Sequence, residues 1–267
     1  MAFVGGSQLL ALLSLAIAPA SDGTTVSVTL ASGASRTCTG ETAARVMSSR
    51  GQPVANAPEQ KSPMSETLST RPADGRYEIR RTSSIPGGEA LLIAHLGPDG
   101  NVIDANMTGN LPMVGGGERL QRMSMLAARM LPERLVIGRA FSPGDNLYAG
   151  IDMQDIVAGL LGAMPLPDSF QFQATGPMPF TGTTGDGQER ALNFAGPIHV
   201  SGSGVINGQT LTIESSGRAS IAVDATTGLM RSTTTETTMT VKVNGAPLTE
   251  MQMRQNMTCT IAPPAQP

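Results

Sequence analysis

The chain has 267 residues, of which 15% are charged, and its formal net charge is −3. The 18 basic and 21 acidic residues give no basic excess of the kind that binds nucleic acids, so we expect no nucleic-acid partner. Hydrophobic residues make up 40% of the chain, which is enough for a folded core. These values indicate a weakly acidic globular protein and select no function by themselves.

An apolar run near the start predicts an export signal. Residues 9–17 are Leu, Ala or Ile apart from one Ser, and they lead into Ala18-Pro19-Ala20, a small-residue sequence typical of signal-peptidase sites. The run is about half of the roughly 20 apolar residues that cross a bilayer. We therefore interpret residues 1–20 as a cleaved signal peptide of a periplasmic or secreted bacterial protein, with no transmembrane anchor. A buried N-terminal helix is the alternative.

The chain contains two cysteines, Cys38 and Cys259. An even number of cysteines in an exported protein favours a disulfide, because the compartments outside the cytoplasm are oxidising. We predict a Cys38–Cys259 disulfide that ties the two ends of the mature chain together. The alternative is a pair of buried free thiols.

The C-terminal third alternates between apolar and polar residues. From Thr249 to Ile261, five of seven odd positions are apolar and none of the six even positions is, which is the period of a half-buried strand. Residues 238–244 alternate in the same way. The dipeptides Asn244-Gly245 and Asn207-Gly208 favour tight hairpin turns, so this region is predicted to form an antiparallel meander.

The N-terminal region shows the same alternation in shorter segments. Residues 24–30, 77–80, 91–96 and 102–107 predict four or five further strands. Between them, residues 48–73 are rich in Ser, Pro and Gln, and we predict a flexible loop over this stretch.

The centre of the chain has helical periodicity. Apolar residues recur every three or four positions from Leu120 to Leu131, where Pro132 is predicted to end a first helix, and again from Met153 to Met164 in a second helix. The fold class is therefore α+β and mainly β: a curved, half-barrel-like antiparallel meander with two central helices packed on one face. Because no linker divides residues 21–267, we expect a single domain.

Residues 75–262 resemble a known family in layout. The segments that carry this resemblance are Leu131-Pro132-Glu133-Arg134-Leu135-Val136-Ile137-Gly138, residues 141–145 and residues 223–229. Together with the export signal, the meander and the helices, they resemble the half-barrel of periplasmic lipoprotein-localisation factors and related secreted bacterial proteins. The resemblance implies an apolar cavity under the helices that can hold acyl chains. It assigns no individual binding residue.

Few residues in the sequence could support catalysis. His95 and His199 both lie in strand-like segments, and acid–base chemistry would require one of them to meet Asp104 or Asp224. A structural strand histidine is the simpler interpretation. No serine-nucleophile motif and no zinc-ligand spacing is present. We therefore predict no catalytic residue, no metal site, no cofactor and no enzymatic activity.

Methionine is the one residue type in excess, with 16 in the chain. Methionines can bind Cu(I), line an adaptable apolar pocket or pack in an ordinary core, and the alternation alone leaves all three open. For the pocket alternative we predict a cavity between the sheet and the helices. Its lining would be Met123, Met130, Ile156, Leu160, Met251 and Met253.

Three functional hypotheses follow from the sequence. The favoured one is an exported, non-catalytic binding module that holds an apolar small molecule or lipid between sheet and helices. The second is a structural or protein-interaction component of the bacterial envelope with a filled core. The third is an enzyme, which would require a polar cleft where a histidine meets a carboxylate.

Overall fold

The structure is a computed structural model that describes residues 25–73, 75–85, 88–109, 117–151 and 170–264. The predicted export signal at residues 1–20 and the second predicted helix at residues 153–164 lie outside the described residues.

The described residues form strands, two α-helices and one short 3-10 helix, Gly187–Glu189. The strands are β1 (Val26–Ser27), β2 (Ser35–Ser49), β3 (Gln52–Pro53), β4 (Gln60–Ala73), β5 (Arg76–Ile85), β6 (Gly88–Leu96), β7 (Val102–Gly109), β8 (Ala140–Phe141), β9 (Gln171–Thr175), β10 (Phe180–Thr184), β11 (Ala191–Ile206), β12 (Gln209–Asp224), β13 (Met230–Val243) and β14 (Ala246–Ala262). The α-helices are α1 (Glu118–Arg129) and α2 (Pro132–Val136).

Twelve of the strands form one open antiparallel sheet. Their order is β10-β11-β12-β13-β14-β2-β4-β5-β6-β7, with β3 beside β2 and β9 beside β11. The mainly β, antiparallel class predicted from the sequence is confirmed. The sheet consists of two meanders, β4 to β7 and β10 to β14, that meet where β14 pairs with β2. The predicted half-barrel curvature remains a prediction.

The two Asn-Gly dipeptides form the predicted hairpin turns. Asn207 and Gly208 have φ angles of 50° and 77°, and Asn244 and Gly245 have φ angles of 50° and 79°. Positive φ at both central residues is the geometry that matches the twist of the flanking strands, and Asn and Gly reach it at low cost. These turns set the register of β11 with β12 and of β13 with β14.

Residues 48–73 differ from the predicted loop, because residues 60–73 form the long strand β4. Pro63 pairs only with Glu41 on β2, since β5 begins to pair with β4 at Ser65. Pro72 pairs only with Tyr77 on β5. Each proline thus lies where β4 has a neighbour on one side, which is the kind of edge position where strands tolerate a residue without an N–H.

The first predicted helix is present as α1, and its apolar side chains pack on the core beside β6 and β7. Pro132 follows it, as predicted, but begins a second short helix instead of only ending the first. Proline is tolerated at the first helical position because the N–H there has no partner within the helix. The result is that α2 places Glu133 and Leu135 inside the protein.

The core is divided into two clusters on one face of the sheet, here called the core face. Cluster 1 contains Phe141, Phe180 and Phe194, whose ring centroids are 5.0 to 6.1 Å apart. Cluster 2 lies under α1 and includes Leu131. Residues 26–34 cross both clusters, because alternate side chains point inward as the sequence predicts. In this segment only β1 forms a strand, paired with β8 outside the main sheet.

Candidate functional site

An apolar strip continues along the core face of the long strands, beyond the two clusters. Its side chains are half-buried and belong to neither cluster. Direct cross-strand partners such as Met239 with Met251, and Ile213 with Val241, place them on one face. The members of this apolar strip are Ile198, Val200, Leu211, Ile213, Met239, Val241, Met251 and Met253.

Polar side chains separate the strip from cluster 1. Thr235 and Gln255 lie opposite each other on β13 and β14, between Met253 of the strip and Met257 of cluster 1. Both are half-buried. An ordinary core would fill these positions with apolar groups, so the strip is a separate apolar surface.

The opposite side of the same strands, here called the polar face, carries polar and charged groups. Gln252 and Arg254 are exposed where Met251 and Met253 are half-buried, so the predicted alternation of β14 is confirmed. Lys242 forms an ion pair of 2.8 Å with Glu214 on this face. The long strands are therefore amphipathic along the apolar strip.

A groove of about 570 Å³ crosses the polar face beside β9. Apart from Phe172 and Gly202, its lining residues present amide and hydroxyl groups, namely Gln171, Gln173, Ser201, Ser203 and Thr212. These groups hydrogen-bond to water or to polar molecules, so this groove does not suit an apolar ligand.

The structure does not bring together the described members of the predicted cavity. Met123 packs against cluster 2 on α1, and Met130 is half-buried at the end of that helix. Met251 and Met253 lie on β14, which is separated from β6 by β2, β4 and β5 in the sheet. The physical reason is that α1 packs on the far end of the sheet, over β6 and β7. Ile156 and Leu160 lie outside the described residues.

Cys38 and Cys259 lie opposite each other where the two meanders meet. Their sulfur atoms are 2.04 Å apart, the separation of a disulfide, as predicted from the sequence. The bond joins β2 to β14 and is consistent with an oxidising compartment such as the bacterial periplasm.

A buried charge cluster lies beside this disulfide. The Arg36 side chain is within 2.6 Å of Glu66 and 2.7 Å of Glu133, and all three residues are at most 3% exposed. Arg81 donates a hydrogen bond to the other carboxylate oxygen of Glu66, at 2.6 Å. Arg36 and Glu133 are 97 residues apart in sequence, so no local sequence pattern predicts this cluster.

The charges of the cluster support one another. Burial alone would raise the pKa of Glu133, but the Arg36 guanidinium and the backbone N–H of Met230 outweigh burial and hold that pKa below its usual value. The pKa of Arg36 is raised by the two carboxylates despite its own burial. Arg36 and Glu133 therefore both stay ionised inside the protein.

The structure brings His95 together with Asp104, as the acid–base hypothesis requires. Nδ1 of His95 is 2.7 Å from Asp104, and Nε2 is 3.5 Å from Glu78. The hydrogen bond to Asp104 raises the pKa of His95. These side chains lie on the polar face, where His95 is 34% exposed, so they form a surface ion cluster.

His199 and Asp224 do not form a second acid–base pair. His199 is exposed on β11, opposite Ser216. Asp224 is buried and accepts hydrogen bonds from the backbone N–H and the hydroxyl of Thr227 and from Arg231. Asp224 therefore holds the turn between β12 and β13.

Within the described ranges, no three His, Cys, Asp or Glu side chains come close enough to hold a metal ion. No helix among these residues has the length and apolar character that crossing a membrane requires.

Sequence reasoning missed two features of this region. The alternation of Met239 and Val241 predicted a strand with one apolar face. It did not indicate that these side chains belong to a candidate binding surface. The burial of Arg36, Glu66 and Glu133 had no sequence signal, because charged residues are ordinarily exposed. Cross-strand register, which places distant residues side by side, was the missing information.

No protein-family model and no curated protein matches the chain. Among solved structures, an outer membrane channel from Pseudomonas putida F1 is 9% identical, with 89% of this chain and 98% of that chain covered and a TM-score of 0.23. Neisserial surface protein A is also 9% identical, with 86% and 97% covered and a TM-score of 0.22. These TM-scores do not establish a shared fold, so the functional proposal is built on the residues of this chain.

Proposed function

We propose that this chain is an exported, non-catalytic binding module of the bacterial envelope that holds an apolar molecule, such as the acyl chain of a lipid, against the apolar strip. The observation that supports this proposal is the strip itself, a group of half-buried apolar side chains that share one face of β11 to β14 and lie outside both core clusters. Large apolar surfaces of this kind mark binding sites in soluble proteins.

The composition of the strip fits a chain-like apolar ligand. Met239, Met251 and Met253 are unbranched and polarisable, so they adapt to ligands of different length and shape. The branched side chains of Ile213 and Val241 lie next to them and provide a firmer surface. The binding free energy would come from apolar area removed from water, about 25 cal/mol for each Å².

A non-catalytic role is supported by the position of the best acid–base candidate. His95 lies on the polar face, and both of its ring nitrogens face carboxylates, those of Asp104 and Glu78. The apolar strip lies on the opposite face and contains no titratable side chain. An apolar molecule on the strip would meet no group able to transfer a proton.

A fluorescent fatty acid, cis-parinaric acid, tests this proposal in a titration of the purified protein. We expect saturable binding, and we expect Met239→Gln to weaken it about tenfold or more, because an amide in the strip must be desolvated. Thr240→Gln is the matched control, since it introduces the same side chain on the polar face of the same strand.

Equal binding by the two variants would place the fatty acid elsewhere, and no saturable binding by the wild type would refute the proposal. The second result would favour a structural or protein-interaction component of the envelope with a filled core. Circular dichroism of both variants, compared with the wild type, excludes loss of folding as the cause.

A further inference from the structure

The two sulfur atoms of the Cys38–Cys259 disulfide have different surroundings. Cys38 is fully buried, whereas Cys259 is half-buried. Of the two residues, only Cys259 has surface that a thiol from solvent can contact. Exchange requires direct attack on one sulfur, so this difference in exposure favours Cys259 as the sulfur attacked.

Arg36 makes the two sulfurs differ electrostatically as well, and this difference also favours Cys259 as the sulfur attacked. Its Nη1 donates a hydrogen bond to Sγ of Cys38 at 2.7 Å and is 3.9 Å from Sγ of Cys259. A nearby guanidinium stabilises a thiolate more strongly than a thiol. Negative charge that develops during exchange is thus better stabilised on Cys38 than on Cys259.

The carboxylates around Arg36 hold the guanidinium in this position. Glu66 and Glu133 each form an ion pair with Arg36, and Arg81 supplies a second positive charge to Glu66. Before exchange, the positive charges of Arg36 and Arg81 balance the negative charges of Glu66 and Glu133. The leaving thiolate therefore adds one negative charge beside Arg36. The two sulfurs still differ, because Nη1 is 2.7 Å from Sγ of Cys38 and 3.9 Å from Sγ of Cys259.

We propose that this disulfide is a thiol-exchange site that opens in one direction, with Cys259 as the sulfur attacked and Cys38 as the leaving thiolate. The co-reactant is a dithiol, of the class found in disulfide oxidoreductases. One thiol loses its proton to solvent and bonds to Cys259, while the electron pair of the broken S–S bond moves to Cys38.

The second step releases the protein with both cysteines reduced. The remaining thiolate of the dithiol attacks its own bridged sulfur, which releases Cys259 as a thiolate that takes a proton from solvent. The dithiol is oxidised to a disulfide, and the two electrons remain on the reduced Cys38 and Cys259. Opening the bond removes the covalent link between β2 and β14, the strands at which the two meanders meet.

Reduced glutathione tests the direction of opening, because a monothiol stops at the mixed disulfide. The native protein is treated with glutathione, quenched with acid at early times, alkylated and analysed by peptide mass spectrometry. We expect glutathione on Cys259 and the alkyl group on Cys38, in an excess of about tenfold or more over the reverse, since the better leaving thiolate departs faster.

Predominant modification of Cys38, or equal modification of both cysteines, would overturn the proposal. So would a bond that exchanges only after unfolding in urea, because the bridge would then be a closed structural link. Each of these outcomes is read from the native wild-type chain, so the result does not depend on whether a variant folds.

Single-cysteine variants give an independent measurement. In Cys259→Ser the remaining thiol is Cys38, and in Cys38→Ser it is Cys259. The ultraviolet absorbance of the thiolate, followed against pH, is expected to show that Cys38 ionises at lower pH than Cys259, because Arg36 stabilises its thiolate. The opposite order would contradict the assignment of Cys38 as the leaving group.

Discussion

Arg36 lies between two buried carboxylates and is itself 2% exposed, an unusual position for a charged side chain. Removing one partner of a buried ion pair leaves the other charge without compensation. We therefore expect Arg36→Gln to lower the free energy of unfolding by about 3 to 5 kcal/mol. Chemical denaturation measures this change.

The matched control for Arg36→Gln is Arg254→Gln. Arg254 forms its ion pair with Glu59 at 3.6 Å, with a side chain that is 44% exposed. An exposed pair of this kind contributes at most about 1 kcal/mol. If the two variants lost similar amounts of stability, the buried cluster would not hold the strands together as described.

Glu133 makes the free energy of unfolding depend on pH in the acidic range. Its pKa is lowered in the folded state, so its contribution to stability is present above its usual pKa and is lost as pH falls through the lowered value. In denaturation at a series of acidic pH values, we expect Glu133→Gln to lose stability less steeply than the wild type. Parallel pH profiles of the two proteins would contradict this role.

His95 is predicted to titrate above its ordinary pKa of about 6.5, because its ring is hydrogen-bonded to Asp104. Its contribution to stability is present below the ordinary pKa and is lost as pH rises through the raised one. The contribution is small, since solvent screens a half-exposed pair. NMR titration of the His95 ring measures the pKa directly.

Two variants test why the pKa of His95 is raised. Asp104→Asn removes the carboxylate on Nδ1 and should lower the pKa of His95. Asp99 lies in the turn after β6, where its carboxylate accepts a hydrogen bond from the backbone N–H of Asn101, so Asp99→Asn should leave the pKa of His95 almost unchanged. A His95 pKa that is unaffected by Asp104→Asn would disprove the proposed cause.

At the level of elements, the hairpin turns depend on positive φ. Gly245 has φ 79°, and a side chain there would be strained, so we expect Gly245→Ala to reduce the free energy of unfolding by about 1 kcal/mol. Asn207→Gly, in the equivalent hairpin, keeps a residue suited to positive φ and should change stability by only a few tenths of a kcal/mol. Thermal and urea denaturation distinguish the two.

The elements that sequence analysis predicted correctly are those with strong local patterns. The strict alternation of β14 and the apolar spacing of α1 are properties of short segments, so they can be recognised without knowledge of distant contacts. The loop prediction for residues 48–73 was wrong over β4, because Pro63 and Pro72 are compatible with a strand only where it has a single neighbour. That condition depends on strand register, which is not local.

At the scale of the whole molecule, the insertion of β2 between β14 and β4 determines where apolar groups meet. It brings Cys38 to Cys259 and places the apolar strip several strands away from α1. The candidate site predicted from sequence named Met251 and Met253, which belong to the strip, but joined them to residues of α1. The order of strands in the sheet, which the sequence does not encode locally, separates these two groups.

The position of a bound fatty acid can be measured directly by photolabelling with a diazirine-bearing fatty acid, followed by peptide mapping. Labelling should concentrate on β12, β13 and β14 at core-face positions such as Met239 and Met251, and an excess of unlabelled fatty acid should suppress it. Labelling that concentrates on Met123 under α1, or on polar-face residues such as Gln252, would contradict the assignment of the apolar strip as the binding site.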